Sequence, residues 1–83
     1  MYTYPIDYDL FTAEEVSVII EFLSLIEDAN EKQVNPIVLS TKHREYRKIV
    51  NSIQMEKKID HDFEKVSGYS IYKTIKKYQQ KTS

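Results

Sequence analysis

Several residue types are absent or scarce in this chain of 83 residues, and each absence removes a class of protein. With no cysteine, neither a disulfide nor a thiolate metal site can hold the fold together. A single glycine, Gly68, excludes the glycine-rich loops that bind nucleotide phosphates. No apolar run is long enough to cross a bilayer, and no signal peptide is visible after Met1. We therefore expect a cytoplasmic protein without a membrane segment.

The length and the charge distribution suggest one small domain with two unlike halves. We expect residues 1–83 to form a single helical domain, and because its core is small we keep a homodimer open. Residues 1–34 carry eight acids and one base, whereas residues 35–83 carry eleven bases and five acids. We favour attraction between these halves within one chain. Head-to-tail contact between chains, and a nucleic-acid or membrane surface, are the alternatives.

The segment from Ala13 to Lys32 has the longest helical periodicity, and it is apolar on two adjoining sides. One side carries Val16, Ile19, Ile20, Leu23 and Ile26. The other side carries Val18, Phe22, Leu25 and Ala29, and this set is our candidate interface. A helix with one neighbour shows one apolar stripe, so we expect this helix to lie at the centre of the fold. The N-terminal arm is the alternative cover for the second side.

Local signals divide the rest of the chain into an arm and three further helices. The residues expected to start helices are Thr12 with Glu15, Asn35 with Pro36, Ser52, and Ser70. Gly68 is placed to end the third helix in the left-handed conformation. The fold class is therefore all-α, with about four helices around the first, preceded by an extended arm. The arm residues expected to pack on the helices are Tyr2, Tyr4, Tyr8, Leu10 and Phe11.

Three segments resemble uncharacterised protein family 0223, a family of small proteins from low-GC Gram-positive bacteria. They are Tyr-Pro-Ile-Asp at 4–7, Ile-Asp-His-Asp-Phe-Glu at 59–64 and Ser-Gly-Tyr-Ser-Ile-Tyr at 67–72. The last segment is the most specific, and the likeness covers nearly the whole chain. The resemblance implies a small all-helical domain in the bacterial cytoplasm. It implies no activity, because none is assigned to the family, and so it supplies no catalytic residues.

The polar residues form no coherent catalytic constellation. Glu56, Asp60 and Glu64 recur every four residues on one face of the third helix, and a metal-dependent enzyme using Asp60 and Glu64 is the weakest hypothesis. A solvated charged face is the preferred interpretation. His43 falls on the inner stripe of the second helix, which favours a core or boundary histidine over a general base. We assign no catalytic residue, no metal ligand and no cofactor.

Two functions from different classes remain. The preferred one is a small non-catalytic protein–protein interaction or adaptor domain, whose partner is another protein or a second copy. The alternative is a nucleic-acid-associated protein, less favoured because Tyr72 and Tyr78 are better used as core than as stacking platforms. The candidate basic patch for that alternative consists of Arg44, Arg47, Lys73, Lys76 and Lys77.

Overall fold

A computed structural model of the chain describes residue 6 and residues 8–81, with side chains up to residue 79. Within this range the backbone forms helices joined by short connections, and no strand. The helices are α1 (Ala13–Glu31), α2 (Pro36–Ile49), α3 (Ile53–Ser67) and α4 (Ile71–Lys81). The predicted all-α class is therefore confirmed. In the described part of the chain, no helix combines the length and the hydropathy needed to span a bilayer.

Side-chain caps determine where α1 and α2 begin, as predicted. Thr12 Oγ1 accepts a hydrogen bond from the Glu15 N–H at 3.1 Å, and Glu15 Oε1 accepts from the Thr12 N–H at 2.9 Å. At α2, Asn35 Oδ1 accepts from the Ile37 N–H at 2.8 Å, and Pro36 occupies the first helical position. Each cap satisfies an N–H that helix geometry leaves without a partner, which stabilises the helix by about 1 kcal/mol.

The predicted positions of the later helix ends are confirmed, although one of the predicted caps lacks its side-chain hydrogen bond. Gly68 follows α3 in the left-handed conformation, with φ 82° and ψ 3°. Ser70 Oγ accepts from the Lys73 N–H at 3.3 Å and so caps α4. Ser52 occupies the N-cap position of α3, but its side chain makes no capping hydrogen bond. A serine before a helix shows that a cap is chemically available, whereas its rotamer is set by the surroundings.

The largest share of the hydrophobic core comes from α1, as its two apolar sides predict. The buried residues of α1 are Val16, Ile19, Phe22, Leu23, Ile26 and Ala29. The later part of the chain contributes Leu39, Tyr46, Val50, Ile59, Phe63, Ile71 and Tyr78. Full burial of a large apolar side chain stabilises the fold by about 1.5–3 kcal/mol before conformational entropy is subtracted.

One apolar side of α1 is covered by α2. The contact centres on Phe22, whose ring stacks on Tyr46 with a centroid distance of 4.5 Å and on His43 at 5.6 Å. An ion pair between Lys42 Nζ and Glu21 Oε2, at 2.6 Å, joins the same two helices. Solvent exposure limits the pair to less than about 1 kcal/mol. It is nevertheless one instance of the expected attraction between the acidic and basic halves.

The second cover for α1 comes from α4, which packs against each of the other three helices. Asn30 Nδ2 donates to Thr74 Oγ1 at 2.9 Å. The Tyr78 hydroxyl accepts from the Val34 N–H at 3.2 Å and donates to the Ala29 C=O at 3.4 Å. These bonds satisfy polar groups at the carboxyl end of α1 that packing removes from water.

The N-terminal arm departs from the prediction. Residues 8–10 form a turn, and Tyr8 and Leu10 are exposed. Ile6 is buried, and Phe11 packs partly against the core. Leu10 and Phe11 border a cavity together with Met55 of α3. Phe11 therefore packs as predicted, whereas Tyr8 and Leu10 do not. The remaining arm residues of the prediction, Tyr2 and Tyr4, lie outside the described residues.

Candidate functional site

Two neighbouring cavities form one groove between α2 and α4, which we call the α2–α4 groove. The first, about 310 Å³, extends along α2 from Pro36 to Arg44. The second, about 370 Å³, extends from His43 to Arg47 and reaches residues of α3. His43 and Ile75 border both cavities, so the two meet there. Each volume lies at the lower end of the range for ligand-binding clefts in proteins.

The floor of the groove is largely apolar because α2 and α4 turn regular stripes toward each other. The floor residues are Leu39, His43 and Tyr46 on α2, and Ile71, Ile75 and Tyr78 on α4. Spacings of three and four residues place each set on one side of its helix. Sequence periodicity predicts both stripes. It does not predict the space between them, which depends on how closely the two helices approach.

His43 lies where the two cavities meet, half-buried against α1. Its imidazole stacks on the Phe22 ring with an angle of 21° between the planes. Burial lowers the pKa of His43 and the Arg47 guanidinium lowers it further, while Glu56 opposes both effects. The imidazole is therefore mainly uncharged at neutral pH and acts as a packing group with a polar edge.

Tyr46 carries a buried hydroxyl that has no hydrogen-bond partner, and among the described residues it is the sole side chain in that state. The residue is 3% exposed. Burial raises the pKa of Tyr46, and the carboxylates of Glu56 and Asp60 raise it further. A buried hydroxyl without a partner costs about 1–3 kcal/mol. The sequence carries no signal for this feature, because a phenylalanine would produce the same periodicity.

The acidic residues at the α3 end of the groove are held by neighbouring groups. Arg47 Nε lies 3.5 Å from Glu56 Oε1. Asp60 Oδ1 accepts from the Ile71 N–H at 2.9 Å and so caps α4 from α3. Sequence reasoning missed this cap, because caps are sought immediately before a helix. Glu64 is exposed, and the described residues contain no cluster suited to a metal ion, so nothing in the geometry supports the metal hypothesis.

The five residues of the predicted basic patch divide between the groove and the open surface. Arg44 borders the first cavity, and Arg47 and Lys76 border the second. Lys73 and Lys77 are exposed on α4 outside both cavities. The packing of α2 against α4 thus brings three of the five together. Whether this patch binds nucleic acid stays a prediction.

Exposed apolar residues stand at the two ends of the α2–α4 groove. Ile37 borders the first cavity and is 74% exposed, and Tyr72 borders the second and is 58% exposed. Lys76 Nζ lies 5.9 Å from the centre of the Tyr72 ring, a cation–π contact of about 0.5–1 kcal/mol at such an open site. The expectation that Tyr72 belongs to the core was wrong, because it lies one residue beyond the inner stripe of α4.

The four residues of the predicted interface are divided by burial. Phe22 and Ala29 are 0% and 6% exposed, so α2 and α4 of the same chain already cover them. This corrects the expectation for those two, because a partner could reach them only by opening the fold. Val18 and Leu25 are half-buried. A partner contact at Val18 and Leu25 stays a prediction.

The fold and the groove together define a small all-α protein whose surface offers one cleft with an apolar floor and a basic rim. The chain belongs to the uncharacterised protein family UPF0223, whose family model matches residues 1–83. This confirms the resemblance seen in the three short segments. The family has no assigned function, so membership adds a bacterial setting and no activity.

Relatives from several bacterial genera share most of the chain. A UPF0223 protein of Bacillus cytotoxicus is 47% identical over 76 residues, which cover 92% of this chain and 84% of the relative. One from Listeria welshimeri is 39% identical over 82 residues, covering 99% and 90%. One from Streptococcus mutans is 40% identical over 74 residues, covering 89% and 79%. No solved structure matches the chain significantly.

Proposed function

We propose that this protein is a non-catalytic interaction domain of the bacterial cytoplasm, and that its α2–α4 groove docks a segment of a protein partner. The observation that carries this proposal is the joining of two cavities into one groove with an apolar floor. Exposed Ile37 and Tyr72 extend the apolar surface at its ends. Apolar side chains beside a concave floor are typical of a surface that receives another protein.

The polar groups around the groove support binding over catalysis. A general acid or base must be free to exchange a proton with a bound substrate. Asp60 instead accepts the Ile71 N–H, and Glu56 is paired with Arg47. These contacts join α3 to α4 and α2, so both carboxylates have a structural role.

Nucleic-acid binding is the second candidate function, and one observation favours it: Arg44, Arg47 and Lys76 converge on one groove. Binding through phosphate contacts weakens steeply with salt. A gel shift of single-stranded or duplex nucleic acid at low salt, lost on raising the salt, is the expected signature of this function. Absence of any shift at low salt removes it.

The protein-docking proposal is tested by capture of partners from an extract of the source bacterium with four tagged baits. The groove bait carries Ile37→Ala and Tyr72→Ala. The matched control carries Ile53→Ala and Val66→Ala, which remove exposed apolar side chains of α3 outside the groove. The other two baits are the unchanged protein and an unrelated helical protein.

We expect the unchanged protein and the α3 control to recover the same partner, and the groove bait to recover at least tenfold less. All four substitutions are at exposed positions, so each variant should keep its helical circular dichroism spectrum. Equal recovery by both variants would place the docking surface elsewhere and refute the proposal.

A further inference from the structure

Positively charged side chains that pair with no described carboxylate border both halves of the α2–α4 groove. Arg44 at the first cavity and Lys76 at the second form no ion pair with any described residue. Arg47 forms an ion pair with Glu56, with 3.5 Å between Arg47 Nε and Glu56 Oε1. Two further exposed lysines on α4 add to the local potential. The rim therefore attracts carboxylates, although the whole chain has a net charge of −1.

The dimensions of the groove suit a short helix. At 1.5 Å per residue, the α2 wall from Pro36 to Arg47 is about 16 Å long and the α4 wall from Ile71 to Gln79 about 12 Å. These lengths match about two to three helical turns of a bound segment. The apolar floor lies between the charged positions, so such a segment would need one apolar stripe and acidic flanks.

Other modes of peptide docking find less support in this groove. Addition of an extended segment requires an exposed sheet edge, and the described residues contain no strand. Recognition of a polyproline segment requires a groove lined by exposed aromatic rings, whereas Tyr72 is the one strongly exposed ring bordering these cavities. An amphipathic helix laid into the groove needs neither feature.

A nucleic acid and a second copy of the chain are the competing occupants. Single-strand binding uses several stacking platforms, whereas Tyr72 is the one strongly exposed aromatic ring that borders these cavities. The acidic helix of a second copy cannot supply its apolar stripe, because Ile19, Phe22 and Ile26 are buried in its own core. A helix from a different protein can place apolar side chains on the floor of the groove and carboxylates at its rim.

Resting on the function proposed above, we infer that the α2–α4 groove binds an acidic amphipathic helix of two to three turns. Leucine-like side chains of that helix occupy the two cavities. Its carboxylates meet Arg44 on the α2 wall and Lys76 on the α4 wall. The charge of the rim thereby selects the partner, while the apolar floor supplies most of the contact area.

The test is an NMR titration of the isotope-labelled full chain with three synthetic peptides of 12 residues. All three carry leucine at the same helical spacing, and their polar positions are glutamate, glutamine or lysine. We expect the glutamate peptide to shift the amides of residues 37–47 and 71–79 and to bind at least tenfold more tightly than the glutamine peptide. The lysine peptide should produce no saturable shift, and added salt should weaken the glutamate complex.

Matched variants separate the local charge of the rim from the net charge. Arg44→Ala with Lys76→Ala should weaken binding of the glutamate peptide about tenfold or more. Lys48→Ala with Lys65→Ala changes the net charge equally at exposed positions outside the groove, and it should weaken binding less than threefold. Equal weakening by the two variants would overturn the inference, because it would show long-range attraction without a defined site.

The remaining outcomes distinguish this inference from the proposed function. Equal affinity for the glutamate and glutamine peptides at the groove amides overturns the acidic partner and leaves the docking groove intact. Shifts of the same amides by an oligonucleotide alone, or on concentrating the protein without peptide, also overturn the inference. The partner capture with Ile37→Ala and Tyr72→Ala decides the proposed function independently.

Discussion

At the scale of single residues, two buried tyrosines show how similar sequence positions acquire opposite energetic roles. Tyr46 and Tyr78 both lie on inner stripes, and each is at least nine-tenths buried. The Tyr78 hydroxyl bonds to Val34 and Ala29, whereas the Tyr46 hydroxyl has no partner. Removing the oxygen should therefore have opposite consequences at the two positions.

We predict that Tyr46→Phe leaves the free energy of unfolding unchanged or raises it by about 1 kcal/mol, since it removes a hydroxyl that lost its water without gaining a partner. The matched variant Tyr78→Phe should lower the free energy by about 1–2 kcal/mol, because it leaves the Val34 N–H without its acceptor. Urea unfolding followed by circular dichroism measures both. A loss at Tyr46→Phe as large as at Tyr78→Phe would contradict the assignment.

A second prediction at this scale concerns His43, whose pKa burial lowers in the folded protein. The unfolded chain then binds this proton more readily than the folded chain. The free energy of unfolding should be fully retained above about pH 6.5, the unfolded pKa, and should fall as the pH drops from there toward the folded pKa.

Urea unfolding at pH 5.5, 6.5 and 7.5 tests this dependence. His43→Phe keeps a ring against Phe22 but cannot take a proton, so its stability should change less over this interval than that of the unchanged protein. His61→Asn, at an exposed position on α3, serves as the control and should keep the full dependence. If the stability of His43→Phe falls with pH as much as that of the unchanged protein, the pH dependence arises from another group and the prediction is wrong.

At the scale of elements, helix ends were predictable where the signal lies in one or two neighbouring residues. Thr12, Asn35 and Gly68 act through their own conformation or through a bond within three residues. Asp60 acts on α4 from eleven positions earlier in the chain, so its capping role required the packing of α3 against α4. Local chemistry is visible in a sequence, and non-local partners are not.

Gly68 provides the prediction for this scale. Its φ of 82° is unfavourable for a residue with a side chain, while a Cβ at this position would meet no atom within 4 Å. The cost of Gly68→Ala is therefore a backbone cost, which we expect to be about 1 kcal/mol. Gly68→Asn should cost less, because asparagine tolerates the left-handed conformation.

Urea unfolding of the two variants beside Gln54→Ala, an exposed change on the same helix, measures the difference. The Gln54→Ala variant should stay within about 0.5 kcal/mol of the unchanged protein. Equal losses for Gly68→Ala and Gly68→Asn would contradict a purely backbone origin, since asparagine and alanine differ mainly in their tolerance of positive φ.

At the scale of the whole molecule, the two apolar sides of α1 are satisfied within the chain. The ring of Phe22 stacks against α2, and Ala29 meets Tyr78 of α4. The accessible apolar surface therefore lies in the α2–α4 groove and not on α1. The protein-docking and peptide-selection experiments above belong to this scale, because both test a surface that no single helix contains.

The sequence alone determined the class of fold, the bounds of α1 and the main core residues, because these depend on periodicity and local caps. The resemblance of three short segments also indicated the family, which the whole-chain match confirms. The charge distribution of the sequence also predicted attraction between the acidic and basic halves. The ion pair between Lys42 and Glu21 is one instance of it.

Only the tertiary structure decided which side of each element stays open. Both Phe22 and Tyr72 are aromatic residues for which the sequence allowed either burial or exposure. In the structure Phe22 is buried, whereas Tyr72 is exposed at one end of the α2–α4 groove. Burial of these side chains depends on the distance between α2 and α4. The packing of many side chains at once sets that distance. Periodicity along one helix carries no information about it.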